Sequence, residues 1–172
     1  SSSKEANLDS AARQRVKQTA QQVISEAEVV CCTAVGAGSV MLNECHFSRV
    51  LLDEAAQATE LVSIVPISRG ALQVVLCGDQ CQLPPTIAVD SVRNEGLEVS
   101  LFERLASAKF EPLVLLRSQH RMHPAISAFS RVAFYGGRLL DGVGVSERPV
   151  PTWSWPRPDV PVCFLATRGA EQ

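Results

Sequence analysis

The sequence of 172 residues lacks several features that mark common classes of protein. It has no run of about 18 apolar residues, and no charged leader precedes an apolar stretch, so neither a membrane span nor a secretion signal is indicated. A net charge of −2 provides no bulk attraction for nucleic acid. The absence of a G-x-S-x-G motif removes the main signature of a serine hydrolase.

The most informative absence is that of the phosphate-binding loop, G-x-x-x-x-G-K-[ST], which occurs nowhere in the chain. The stretch Gly36–Ser39 resembles such a loop only superficially, because it contains no lysine and does not lead directly into a helix. The chain therefore lacks the element that usually grips the phosphates of a nucleotide.

The six cysteines form no C-x-x-C pair. Cys31, Cys32, Cys77 and Cys163 lie in apolar runs, where a free thiol is expected to be buried as a small hydrophobe. Cys81 lies in a predicted loop, far in sequence from the histidines, so we expect no structural zinc in this segment. Free thiols fit a reducing compartment, and we expect a cytoplasmic or nuclear protein.

A hydrophobic content of 46% suits one domain, or one domain and part of a second. Alternating strand and helix patterns predict an α/β fold with a parallel, doubly wound sheet. The expected strands cover residues 29–35, 49–55, 73–78, 113–116 and 162–166. The expected helices cover residues 8–27, 59–65, 100–107 and 126–134.

Polar side chains follow two of the predicted strands where each strand ends. Asp53 and Glu54 follow Val50-Leu51-Leu52, and Asp79 and Gln82 follow Val74-Val75-Leu76. Because ligands of open α/β sheets bind beyond the carboxyl ends of the strands, these side chains are expected to converge at one edge. One carboxylate there can hold Mg²⁺, while the other orients water and accepts its proton. The amide of Gln82 is suited to contacting a terminal phosphate.

A third constellation, Gln119-His120-Arg121-Met122-His123-Pro124, lies between a predicted strand and a predicted helix. An arginine held there, with a helix beginning close behind it, is suited to meeting phosphate oxygens, as arginine fingers do. We interpret the two histidines as structural. Thr33 and residues 36–39 form a further candidate, a loop whose backbone N–H groups would contact nucleic-acid phosphates.

Together these residues resemble a superfamily 1 helicase of the nonsense-mediated-decay type, from the Upf-like group that also contains senataxin. Four stretches, in the family's order, match its motifs Ic, II, III and IV: residues 30–38, 52–60, 78–85 and 119–124. His120 replaces a tyrosine that is usual in motif IV. Motifs I, V and VI are absent, and residues 28–172 carry the resemblance.

The resemblance implies two RecA-like lobes, of which residues 28–111 would be the second half of the first and residues 112–172 the start of the second. Residues 1–27 would be a leading helix at the end of an inserted stalk or domain. ATP and Mg²⁺ would be the cofactors, and the partners would be single-stranded RNA or DNA and mRNA-decay factors.

The resemblance also implies a role for each motif residue. Asp53 would hold Mg²⁺, Glu54 would act as the base, Gln82 would sense the γ-phosphate and Arg121 would be the arginine finger. Gln57 and Asp79 would couple the nucleotide state to movement of the lobes. The residues that would contact nucleic acid are Thr33, Gly36, Gly38 and Ser39.

The sequence predicts a segment of an ATP-dependent helicase that is inactive as an isolated chain, because positioning of the phosphates is lost without the phosphate loop. An alternative from another class is a catalytically silent, truncated paralogue that binds nucleic acid or a protein partner. A metal or redox module built on the cysteines is a third interpretation.

Overall fold

A computed structural model describes residues 2–158 and 160–166, and the chain divides between Glu111 and Pro112 into two compact units. In the first unit the main elements are α1 (Ser2–Glu26), β1 (Arg49–Leu52), α2 (Glu60–Ile67), β2 (Gln73–Leu76), α3 (Asp90–Val92) and α4 (Leu101–Ser107). The second unit contains β3 (Ser118–Gln119), α5 (Pro124–Ala133) and β4 (Leu140–Asp141). The shorter turns are 3-10 segments at Gly36–Gly38, Val40–Leu42, Ala55–Gln57 and Val145–Glu147 and a π-type turn at Arg93–Leu97.

Two small parallel sheets form the β structure of the described residues. Strands β1 and β2 pair in parallel with Arg49 opposite Gln73 and Leu52 opposite Leu76, which confirms the parallel pairing expected for these two strands. In the second unit β3 and β4 pair in parallel over two residues each. Both sheets belong to a mixed helix and strand architecture, as the sequence predicts.

Three of the predicted strands do not form strands in the structure, so these three predictions are wrong. Residues 29–35, 113–116 and 162–166 are described as coil or turn and pair with no strand in the described part of the chain. Their apolar side chains face solvent, with Val114 78%, Leu116 84% and Phe164 92% exposed. A strand is stable only when a neighbour completes its hydrogen-bond ladder, and none of the described segments pairs with these three.

The predicted burial of four cysteines is also wrong. Cys31, Cys32 and Cys77 are exposed and Cys163 is half-buried, because the apolar runs that contain them have no covering layer. None of the six cysteines, all of which lie in the described part of the chain, forms a disulfide.

Helix boundaries follow local chemistry more closely. The Ser100 hydroxyl accepts from the Glu103 N–H at 3.0 Å and so caps α4, which begins where the sequence predicts a helix. Helix α2, capped by Thr59, runs through Pro66 to Ile67 although we expected it to stop before the proline. Pro66 lies in the last turn, where a missing N–H removes a single helical bond, so its cost is smaller than in a helix centre.

The small core of the first unit lies beneath the end of β1. Its most buried apolar residues include Leu42, Leu52, Ala55 and Ala56. No helix among residues 2–158 and 160–166 is long and apolar enough to cross a membrane.

Candidate nucleotide site and arginine loop

The carboxyl ends of β1 and β2 remain hydrogen-bonded beyond the strands themselves. The Cys77 N–H donates to the Leu52 carbonyl at 2.8 Å, and the Ala55 N–H donates to the Cys77 carbonyl at 2.8 Å. These two bonds hold the chain after β1 beside the chain after β2. The segments bearing Asp53, Glu54 and Asp79 therefore leave the sheet at the same edge, as the sequence predicts.

Glu54 adopts a left-handed backbone conformation, with φ 52° and ψ 37°. Such a conformation costs a residue other than glycine about 1–2 kcal/mol, so the surroundings must impose it. The Asp53 Oδ1 atom accepts from the Glu54 N–H at 3.1 Å, and the Gln57 amide donates to Glu54 Oε2 at 3.1 Å. The Glu54 carboxylate is thus fixed by Gln57 while remaining exposed to solvent.

Asp79 organises the loop that follows β2. Its carboxylate accepts from the Cys81 N–H at 3.0 Å and from the Gln82 side-chain amide at 2.7 Å, and its carbonyl accepts from the Gln82 N–H at 3.1 Å. This turn holds the Gln82 side chain in place. Contact between the Gln82 amide and a phosphate would require this amide to exchange its bond with Asp79.

Gly78 brings the two polar loops into direct backbone contact. A Cβ atom added at Gly78 would lie 2.8 Å from the Ala56 nitrogen and 3.3 Å from the Ala56 Cβ. The former distance is too short for carbon against backbone, so only glycine permits this approach. The loop after β2 therefore rests on the turn that follows Glu54.

Asp53 has the chemistry that Mg²⁺ requires. Its carboxylate is exposed and directly follows Leu52, the buried last residue of β1. Carboxylate oxygens are hard ligands of the kind that Mg²⁺ prefers. Within the described residues no group of three or more His, Cys, Asp or Glu side chains is arranged to hold a metal ion. A magnesium ion at Asp53 would therefore rely on phosphate and water oxygens for its remaining ligands, as nucleotide-bound magnesium does.

Arg121 lies in the second unit, on the loop between β3 and α5. Its N–H donates to Gln119 Oε1 at 3.0 Å, while its guanidinium has no acidic partner and no acceptor among the residues that the structure describes. With Met122, Ile126 and Arg148 it lines an open pocket of about 350 Å³. An exposed, unpaired guanidinium on a fixed backbone is available to an anionic ligand.

Gln119 holds this loop from within. Its side-chain oxygen accepts from the Arg121 and Met122 N–H groups, and its amide donates to the Met122 carbonyl at 2.9 Å and to Asp141 Oδ1 at 2.7 Å. The second residue of β4, Asp141, thereby links the loop to the sheet. His123 caps α5 by accepting from the Ala125 N–H through Nδ1.

Asp141 is the charged centre of the second unit. Its carboxylate accepts from the Ser127 hydroxyl at 2.6 Å and from Gln119, and it pairs with Arg131 at 3.3 Å. The Ser127 hydrogen bond, followed by that of Gln119, holds the pKa of Asp141 below its usual value of 3.8. The ionised form is therefore the one that the fold stabilises.

Asp141→Asn should lower the free energy of unfolding by about 2 kcal/mol at pH 7, because charge-assisted hydrogen bonds are lost. Since the folded pKa is depressed, this contribution is complete above pH 3.8 and is lost as the pH falls through the lowered value. The difference between wild type and variant should therefore shrink below pH 3.8. Urea unfolding followed by the fluorescence of Trp153 and Trp155, both in the second unit, measures it.

Glu147→Gln is the matched control, because Glu147 is an exposed acid of the same unit and glutamine keeps an oxygen that can accept the Gly144 N–H. It should change the free energy of unfolding by less than about 0.5 kcal/mol. An Asp141→Asn variant as stable as wild type at pH 7 would contradict the assignment.

In the predicted nucleic-acid loop, backbone N–H groups that we expected to contact phosphates are already hydrogen-bonded within the turn. The Thr33 hydroxyl accepts from the Gly36 N–H at 3.0 Å, and the N–H groups of Gly38 and Ser39 donate to carbonyls within the same turn. Contact with phosphates would therefore fall to the Thr33 hydroxyl, which can still donate, rather than to free N–H groups. Arg69 supports the turn by donating to the Ala37 carbonyl at 3.0 Å.

The structure thus groups the predicted residues in three places. Asp53, Glu54, Gln57, Asp79 and Gln82 lie at one sheet edge of the first unit; Thr33, Gly36, Gly38 and Ser39 form a separate turn of that unit; Arg121 lies in the second unit. Sequence reasoning missed Asp141 and Arg148, which support the arginine loop. Neither belongs to a local pattern, since the residues of the arginine loop and α5 that they bond lie 10 to 28 residues away.

Comparison with known proteins adds independent information. Two family models, each described as an AAA domain, match residues 1–90 and residues 97–172. The chain is 42% identical over 156 residues to a "Regulator of nonsense transcripts 1 homolog" of Arabidopsis thaliana, covering 90% of this chain and 12% of that protein. It is 42% identical over 159 residues to "ATP-dependent helicase NAM7" of Saccharomyces cerevisiae, covering 91% and 16%.

A mouse protein named "5'-3' DNA helicase ZGRF1" is 41% identical over 158 residues, which cover 90% of this chain and 8% of that protein. The chain therefore spans only 8% to 16% of the length of these three relatives.

Proposed function

The chain belongs to the Upf-like superfamily 1 helicases, and from that membership we propose that it supplies the catalytic carboxylates and the arginine finger of an ATP-driven motor on single-stranded nucleic acid. The observation that carries the proposal is the shared edge of β1 and β2. There, two backbone bonds beyond the strands and the contact of Gly78 with Ala56 hold Asp53, Glu54 and the Asp79 turn together.

Each residue at this edge has a chemical task in the proposal. Asp53 holds Mg²⁺, which when bound neutralises charge on the phosphate oxygens. Glu54, oriented by Gln57, accepts the proton of the attacking water. Gln82 senses the γ-phosphate by exchanging its bond with Asp79 for one to phosphate. Gln57 is bonded to Glu54 and Asp79 to Gln82, which suits both residues to coupling nucleotide state to movement.

Arg121 is proposed to stabilise the charge that develops on the transferred phosphoryl group. Its guanidinium presents a planar set of donors that matches phosphate oxygens, and its backbone is fixed by Gln119. Because the guanidinium has no competing acid in the described second unit, it is available to the nucleotide.

We propose the following organisation of the chain. Residues 1–27 are a leading helix at the end of an inserted stalk or domain, residues 28–111 the second half of a first RecA-like lobe, and residues 112–172 the start of a second. The exposed apolar segments 29–35, 113–116 and 162–166 support this proposal, because further strands of the same lobes would cover them.

The proposed partner is single-stranded nucleic acid, contacted through the turn formed by Thr33 and residues 36–39. Names of the relatives include both regulators of nonsense transcripts and a DNA helicase, so RNA and DNA are both candidate substrates. We further propose association with mRNA-decay factors, in the cytoplasm or the nucleus.

ATP turnover stimulated by single-stranded RNA tests the proposal directly. The complete gene product should hydrolyse ATP and be stimulated by RNA or DNA, whereas the 172-residue chain should not, since it has no phosphate loop. Turnover by the isolated chain that is abolished by Glu54→Gln would contradict the segment interpretation. RNA binding without turnover by the complete gene product would favour a catalytically silent binding module instead.

A further inference from the structure

Arg148 makes an unusual set of hydrogen bonds for an exposed arginine. Its Nη2 donates to the His120 carbonyl at 2.6 Å, and its Nε donates to the Arg121 carbonyl at 3.1 Å. Its Nη1 donates to the Glu147 carbonyl at 2.9 Å. All three guanidinium nitrogens are thus bonded to backbone oxygens, and two of these oxygens belong to consecutive residues of the arginine loop.

These hydrogen bonds restrict the backbone conformation of the arginine loop at His120 and Arg121. A guanidinium is planar and rigid, so two adjacent carbonyls bonded to it are held at a set angle to one another. The two carbonyls belong to the peptide units on either side of the Arg121 Cα, so this angle restricts the backbone dihedral angles of Arg121 and hence the direction in which its side chain leaves the backbone. On the amide side of the same residues, Gln119 Oε1 accepts from the Arg121 and Met122 N–H groups.

We propose that Arg148 is a positioning residue that aims Arg121 at the phosphate, an inference that rests on the proposed function. Arg148 reaches across 27 residues of sequence to the Arg121 carbonyl and makes no side-chain contact with an acid in the described part of its unit. Because its donors are committed to carbonyls, Arg148 acts on the loop, and the unpaired guanidinium of Arg121 meets the ligand.

Lysine cannot replace Arg148 in this role. An ammonium group is a compact point charge that lacks the fixed fork, so it would neutralise the carbonyl dipoles without setting the peptide plane. Arg148→Lys and Arg148→Gln should therefore reduce ATP turnover to a similar extent. Because lysine keeps the positive charge, equal losses would show that the geometry of the guanidinium matters and its charge does not.

A double-mutant cycle on ATP turnover by the complete gene product tests the proposal. Arg148→Gln should lower kcat on the order of 10²-fold with little change in KM for ATP, because misplacement affects the transition state more than binding. In an Arg121→Ala background the same substitution should cause no further loss. An equal loss in both backgrounds would overturn the proposal, because it would indicate a general effect on structure.

Arg138→Gln is the matched control. It removes the same charge from the same unit, and the Arg138 Nε also donates to a backbone carbonyl, that of Tyr135 at 3.2 Å. This variant should keep the kcat of the wild type. Normal turnover by Arg148→Gln alongside an inactive Arg121→Ala variant would refute the positioning role and leave the proposed function intact.

Amide hydrogen exchange on the 172-residue chain gives a readout that does not depend on turnover. Arg148→Gln should accelerate exchange of the Arg121 and Met122 amides about tenfold, while exchange within α5 stays unchanged. Unchanged exchange at both amides would overturn the proposal even if the complete gene product proved inactive, a result that would separately contradict the proposed function.

Discussion

Glu54→Gln should reduce ATP turnover by the complete gene product by about 10²–10⁴-fold while nucleotide binding is retained. Glutamine has nearly the shape of glutamate and keeps an oxygen that can accept the Gln57 amide bond, so the turn at residues 54–57 should fold as before. It cannot accept the proton of the attacking water. Steady-state turnover and binding of a fluorescent ATP analogue, measured side by side, separate the two effects.

Glu28→Gln is a suitable control, because Glu28 is exposed and the substitution makes the same change of charge. Turnover by that variant should equal that of wild type. If Glu54→Gln kept turnover within about threefold of wild type, less than the contribution of general base catalysis, the assignment of Glu54 as the base would be wrong.

Arg121→Ala should reduce turnover by about 10³–10⁵-fold, the range that arginine fingers contribute to phosphoryl transfer. Arg121→Lys should recover little of this loss, because a point charge does not reproduce the two parallel bonds of a guanidinium to phosphate oxygens. Single-turnover measurement of phosphate release with saturating ATP isolates the chemical step from binding.

Arg157→Ala provides the comparison for this series, since Arg157 is an exposed arginine of the same unit that lies outside the arginine loop. It should retain full turnover. An Arg121→Ala variant that lost affinity for ATP but kept kcat would show that Arg121 binds the ground state rather than the transition state.

Local chemistry made part of the fold predictable. The β1 and β2 runs and the Ser100 cap depend on residues next to one another in sequence, and the structure contains all three. The runs at 113–116 and 162–166 have the same apolar character, yet they form no ladder with any strand that the structure describes. A strand needs a partner as well as a pattern, and the pattern alone does not contain the partner.

The candidate site was likewise predictable where neighbouring residues determine it, and not where distant residues do. The placement of Asp53 and Asp79 at one edge follows from two adjacent parallel strands. The network of Gln119 and Asp141 could not be predicted, because these residues are 22 positions apart and their strands are only two residues long, too short for a periodic signal. Side-chain support of a loop is a property of packing, which a sequence pattern read locally does not specify.

The close approach at Gly78 has a mechanical consequence. Only a hydrogen atom of Gly78 stands where a Cβ would lie 2.8 Å from the Ala56 nitrogen, so the two loops pack backbone against backbone. If the loop after β2 moves by a few tenths of an ångström towards the turn after Glu54, that turn has to move as well, because close-packed groups transmit displacement. In the proposed function, loss or arrival of a terminal phosphate beside Gln82 would reach the turn before α2 through this backbone contact as well as through the Gln57 and Asp79 side chains.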